Sequence, residues 1–166
     1  INWQYGIFYF FNCLTNMRFH TKLLLIVFLT IPCSYALDSS KAVEVKVWKS
    51  PTCKCCNKWI EYMEKNGFTV TTFNSGNSIA RQRFGINKKF GSCHTAFVNG
   101  YAIEGHVPAE DIKNLLKIKP SALGLAVPGM PVGSPGMDGP EYGGRNDNFD
   151  VLLINKDQSF EVFNSY

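Results

Sequence analysis

What the chain lacks narrows the field before any motif is read. No apolar run reaches the roughly 20 residues that a membrane-crossing helix needs. The longest, "LLLIVFLTIP" from Leu23 to Pro32, is half that length. No stretch concentrates Lys and Arg into a basic face. The formal charge is +4, and without Arg18 and Lys22 near the N-terminus it falls to +2, from fifteen Lys or Arg against thirteen Asp or Glu. That balance argues against nucleic acid as the main partner, because phosphates are met by clustered cations. There is no second short-spaced cysteine pair, as structural zinc sites usually have, and the familiar iron–sulfur spacings are absent.

What is present at the N-terminus reads as an address rather than as fold. From Met17, "MRFHTK" is a short basic region, "LLLIVFLTIP" an apolar one, and "CSYA" ends in the small-x-small pattern that signal peptidases accept. Residues 17–36 are therefore read as a signal peptide cleaved after Ala36. Residues 1–16 are read as an over-extended start, and residues 37–166 as one mature domain. Export sets the redox surroundings: neighbouring thiols in an oxidising compartment become disulfides unless something holds them. Four cysteines remain in the mature chain, Cys53, Cys55, Cys56 and Cys93.

The mature chain has an α/β pattern. "VEVKVW", Val43 to Trp48, alternates as a half-buried strand does. Ser50, Pro51 and Thr52 supply helix-start chemistry, with Thr52 as the candidate cap. The following helix aligns Cys56, Trp59, Ile60 and Met63 in one apolar stripe and stops near Asn66-Gly67. A second strand is expected over Phe68–Asn74 and a short helix over Ser78–Phe84. Two further strands, Thr95–Val98 and Tyr101–Ile103, flank Asn99-Gly100, a dipeptide suited to a two-residue hairpin. Pro108 suits the first turn of a helix carrying Ile112, Leu115 and Leu116. Strand, helix, strand, helix, hairpin, helix, with a cysteine cluster where the first strand meets its helix, is the thioredoxin-like order.

Between Pro120 and Asn148 twelve of 29 residues are Gly or Pro, so neither a packed helix nor a central strand is expected there. "PGM" occurs twice within it. The final "FDVLLINKDQSFEVF" reads as two strands about a turn at Asn155 to Gln158, a hairpin extending one sheet edge.

The chemistry lies in "SPTCKCCNKW". Cys53 and Cys56 make the C-x-x-C of a redox pair, while Cys53 and Cys55 make a C-x-C. Both lie at a helix N-terminus, where unpaired N–H groups, aided by Lys54 and Lys58, favour thiolate. Thiolate serves a nucleophile and a metal ligand equally. Cys55 separates the two: a third thiol invites wrong pairing in disulfide exchange but adds a ligand to a metal site. Cys93 precedes the third strand, where a thioredoxin-like fold brings a loop against that helix N-terminus. Redox enzymes of that fold usually carry a cis-proline there; "GSCHT" has none. Soft sulfur ligands suit Cu(I), and Met130 and Met137 fit the same preference. Zinc, an iron–sulfur cluster and a structural disulfide stay open on the residues alone. His94, beside Cys93, is either a ligand or a hydrogen-bonding group, as is His106 in "GHVPAED".

Three stretches, "CKCCNKW", "GSCHTAFVNGYAIEGHVPAEDI" and "ALGLAVPGMPVGSPGM", resemble the small exported CopG-type copper-resistance proteins, a family long catalogued as a domain of unknown function. The resemblance runs from about Val43 to Phe163. It implies a thioredoxin-like fold, a periplasmic location in a Gram-negative bacterium, and copper binding through Cys53, Cys55, Cys56 and Cys93. The chain departs from the pattern at Lys54, where many relatives have a small residue, and after Gly85, where a proline often follows. The expected protein is thus a periplasmic copper-binding protein of copper resistance or homeostasis, with Cu(I) on those four cysteines. His94, His106, Met130 and Met137 are further candidate ligands. Copper ions and copper-efflux or other periplasmic copper proteins are the expected partners, with no permanent membrane span in the mature form. Two alternatives use the same residues: a thiol–disulfide oxidoreductase, with Cys53 as nucleophile and Cys56 as resolver, and a copper redox enzyme. N-terminal sequencing of the exported protein should start at Leu37 or a near neighbour; an intact Met17 start would overturn the signal reading.

Overall fold

Alternating apolar residues, two amphipathic stripes and one Asn-Gly turn account for most of the architecture in the computed structural model, which describes residues 42–166. The expected signal peptide and the over-extended start lie outside the described residues. Those that are described fall within one compact unit. β1 (Val43–Lys49) leads into α1 (Lys54–Lys65), β2 (Phe68–Phe73) and α2 (Ser78–Arg83). After a 3₁₀ turn at Lys88–Phe90 come β3 (His94–Val98), β4 (Tyr101–Glu104) and α3 (Ala109–Ile118). β5 (Gly124–Ala126), β6 (Asp150–Ile154) and β7 (Phe160–Ser165) complete one seven-stranded sheet in the order β2-β1-β3-β4-β5-β6-β7. This is a mixed α/β fold. β1 runs parallel to β2 and β4 to β5, while the other neighbours are antiparallel.

Both faces of the sheet are covered. On one, Trp59 and Met63 of α1 and Ile112 and Leu115 of α3 pack on Val45, Val47, Ala96 and Ile103. Fully burying one such aliphatic side chain contributes roughly 1.5–3 kcal/mol, so this face supplies the main cohesion. On the other face Ile86 and Phe90 meet Ala102, Ala126 and Ile154, with Phe84 packed alongside. Trp48 joins this second face: it is half-buried and stacked on Phe73, with ring centroids 4.8 Å apart, instead of lying in the main core.

Three expectations change. The cap of α1 is Cys53 in place of Thr52, its sulfur accepting the Cys56 N–H at 3.4 Å. Pro108 occupies the capping position of α3, one residue before the helix it was expected to begin. The Gly/Pro-rich segment does hold a central strand, β5, whose three residues are flanked by β4 and β6. A strand this short needs little propensity of its own once ladders on both sides satisfy its backbone. The hairpin at Asn99-Gly100 forms with both turn residues at positive φ, 44° and 94°, as a two-residue primed turn requires.

Further along the Gly/Pro segment, Gly136 lies against the start of α1. Gly136 has φ +83°, and a Cβ there would come 2.7 Å from Trp59 N and 2.8 Å from Cys55 O. Neither backbone atom can give way without moving the cysteine helix. Gly136→Ala is therefore expected to cost more than about 1 kcal/mol, read as a lowered urea midpoint; an unchanged midpoint would refute this contact.

Candidate metal centre

Two local features bring the cysteines to one place. As its last pair, Lys49 of β1 faces His94 of β3, so the chain leaving β1 and the chain entering β3 share one end of the sheet. α1 begins at that end. Cys53 as cap and Cys55 and Cys56 in the first turn then approach Cys93 from across the sheet.

The ligand atoms of Cys53, Cys55, Cys56 and Cys93 all lie within 4.8 Å of one another. Cys56 and Cys93 sulfurs are 3.4 Å apart, Cys55 and Cys93 3.8 Å, and Cys53 and Cys55 3.5 Å. Cys53 and Cys56 are joined as a disulfide, while Cys55 and Cys93 are free thiols. Two-electron reduction of that pair would give four thiols in one place. Burial, with Cys55 beside it, pushes the Cys93 thiol up to about 12. Any metal bound there must displace that proton, so affinity rises with pH.

A second group overlaps the first: Cys93, His94 and His106. His106 Nε2 is 3.0 Å from Cys93 Sγ, and its Nδ1 lies 2.8 Å from Pro135 O. A carbonyl only accepts, so Nδ1 carries the proton and Nε2 presents its lone pair to the sulfur. His94 is fully buried between Trp59 and His106, with Nδ1 3.5 Å from Cys93 Sγ. Its Nε2 has no hydrogen-bond partner among the described residues. Unpaired buried nitrogens are uncommon and costly, which marks this one for attention. Burial lowers the basicity of both rings, that of His94 well below the ordinary range, and His106 lowers it further.

The methionines occupy different surroundings. Met137 is buried and its sulfur accepts a hydrogen bond from Tyr142 Oη at 3.2 Å, whereas Met130 is about half exposed at 51%. Lys58 does not face the sulfurs alone, since it forms an ion pair with Glu141. Lys113 and Lys117 of α3, and Lys119 just beyond its end, are exposed to solvent. Sequence reasoning passed over two residues near Cys93, Arg81 and Glu104. A signal for Glu104 existed: it shares a strand face with Ala102, an acid where an apolar residue is expected. Nothing in the sequence marks Arg81.

Sulfur and imidazole donors gathered in this way on an α/β domain are of the kind that soft metals prefer. A profile of the family described as "Protein of unknown function, DUF411" matches residues 90–137, the span that holds Cys93, His94, His106, Met130 and Met137. Curated proteins give no match. Two solved structures, both described as "Copper resistance protein copG", one as Form 2 and one as Form 1, are each 38% identical to the chain with a TM-score of 0.70. The alignments cover 76% of this chain and 99% and 98% of theirs. Similarity of that extent defines the class as CopG-like cysteine-cluster proteins. The chain belongs to the CopG copper-resistance family. Among the described residues no helix is long and apolar enough to cross a membrane.

Both histidines stay neutral in the folded protein below the ordinary value of 6.5, while the unfolded chain takes up protons there. Stability of the metal-free protein is thus full above about pH 6.5 and is lost as pH falls below it, by up to about 1.4 kcal/mol per pH unit for each histidine. Urea midpoints should drop between about pH 7.5 and about pH 5.5; a flat profile would contradict the burial of these rings.

Proposed function

We propose that the protein is a periplasmic copper-resistance protein that holds Cu(I) on Cys53, Cys55, Cys56 and Cys93 when the Cys53–Cys56 pair is reduced. One observation carries this reading: sulfurs 37 and 38 residues apart in sequence stand 3.4 and 3.8 Å apart, inside a four-sulfur group. Thiolates of this kind match the soft Cu(I) ion, which accepts low coordination and shared sulfurs. His106 Nε2, and His94 through its Nδ1, are nitrogen donors at the inner edge, while Met137 and Met130 are further candidates on the overlying loop. The relatives described as copper-resistance proteins support copper over zinc. On this reading residues 17–36 are the export signal, residues 37–166 the thioredoxin-like domain, and copper-efflux or other periplasmic copper proteins its partners. Storage or delivery of copper follows from binding; turnover between Cu(I) and Cu(II) would make the same site an enzyme.

A specific observation favours a second reading. Cys53 and Cys56 are paired in the manner of a thiol–disulfide oxidoreductase, with Cys53 partly accessible and Cys56 buried. Against it stands Cys93, whose sulfur lies 3.4 Å from that of Cys56 and would compete in the exchange.

Titration of the reduced protein with Cu(I) against a competing chelator separates the two. Cys55→Ser with Cys93→Ser is expected to weaken binding at least about tenfold for each sulfur removed. Wild-type affinity in that double variant would overturn the copper site. Insulin reduction that survives the double variant but fails in Cys53→Ser would establish the oxidoreductase instead.

A further inference from the structure

Ser92 stands immediately before Cys93, and both its backbone polar groups are taken by one buried ion pair. Glu104 Oε1 accepts from Ser92 N at 2.7 Å and from Arg81 Nε at 2.8 Å. Arg81 Nη2 in turn donates to Ser92 O at 2.6 Å. The other carboxylate oxygen accepts from Thr95 Oγ1 at 2.6 Å, the residue directly opposite Glu104 across β3 and β4. Asn77, the residue preceding α2, adds its Nδ2 to Ser92 O at 3.1 Å. The Glu104 side chain is wholly buried and that of Arg81 is 16% exposed.

Stability alone is a poor account of this arrangement. Desolvating two charges costs several kcal/mol, and apolar replacements of buried pairs are often neutral or better. What the pair does supply is direction. Arginine's rigid fork and the carboxylate hold the carbonyl and the N–H of Ser92, and so the two peptide units that flank its Cα, fixing the backbone one residue from a sulfur. The loop "GSCHT" has no proline to stiffen it and contains Gly91, so it has conformational freedom to be removed.

We propose that Arg81 and Glu104 are positioning residues that hold Ser92 so that Cys93 Sγ faces Cys55, Cys56 and His106. α2, whose only buried residue is Ala80, brings Arg81 to this loop, and Asn77 just before it adds a second donor. The proposal rests on the four-sulfur reading for its consequence in metal binding, but not for its geometry.

Two readouts on reduced protein test it, one of them metal-free. Alkylation of the thiols, followed residue by residue with mass spectrometry, should quicken at Cys93 about tenfold in Glu104→Gln and in Arg81→Lys, with Cys55 unchanged. Cu(I) affinity should fall about 10- to 100-fold in the same variants, with a lower sulfur count by X-ray absorption. Leu153→Ala, a core substitution on β6, controls for lost stability and should alter neither readout. Arg81→Lys keeps the charge and carries the test where Glu104→Gln fails to fold. Wild-type labelling of Cys93 in both variants, or equal acceleration in Leu153→Ala, would overturn the clamp. A wild-type protein without Cu(I) affinity would sink the four-sulfur reading, and the labelling would still decide the clamp.

Discussion

The pairing of Lys49 with His94 is the constraint on which the rest of this end of the molecule depends. Because β1 and β3 are antiparallel, the residues that follow Lys49 and those that precede His94 leave the sheet at one edge of the ladder. A one-residue slip would turn every side chain of β3 to the opposite face, taking His94 away from Trp59 and Cys93 away from Cys56. Val45 and Val47 resist that slip, since both lie in the main core with Ala96 and Val98. The apolar register of two strands therefore fixes the distance between sulfurs far apart in sequence.

Around that register the protein buries polar groups that a small domain ordinarily keeps in water. Lys49, His94, Glu104 and His106 are all at most 3% exposed. Each is handled differently. The histidines are held neutral by burial, and Glu104 shares its charge with Arg81, Ser92 and Thr95. Lys49 reaches the Ser50 carbonyl at 3.2 Å. Burial pushes the Glu104 carboxyl up, while its hydrogen bonds and Arg81 pull it down. A carboxylate that accepts three donated contacts, from Arg81 Nε, Ser92 N and Thr95 Oγ1, is the form the geometry accommodates. Polar burial is concentrated along β3 and β4, next to the sulfurs, and it is this concentration that distinguishes the site end of the sheet from the far end at Asn99-Gly100.

Much of the fold was legible because its elements are short and locally coded. Cys56, Trp59 and Met63 recur at helical spacing and are all buried, and Asn99-Gly100 makes the turn that its φ values demand. The misses have local causes as well. Cys53 caps α1 because its sulfur lies within reach of the Cys56 N–H, a role that residue statistics give to Thr52. β5 escaped notice because the ladders of β4 and β6 stabilise three residues whose own composition argues against a strand. Arg81 was invisible, since an arginine on a weakly patterned six-residue helix looks the same whether it faces water or a buried carboxylate.

By itself the sequence determined the number of sulfurs, their crowding at one helix start, and the softness of any metal they would prefer. Those follow from residue identity and from spacing within a single helical turn. Only the tertiary structure decided how closely Cys93 meets the sulfurs of Cys55 and Cys56, that His106 presents Nε2 to it, and that Arg81 and Glu104 hold the Ser92 backbone beside it. These are contacts across strands and between layers, set by register and burial, and no local spacing encodes them.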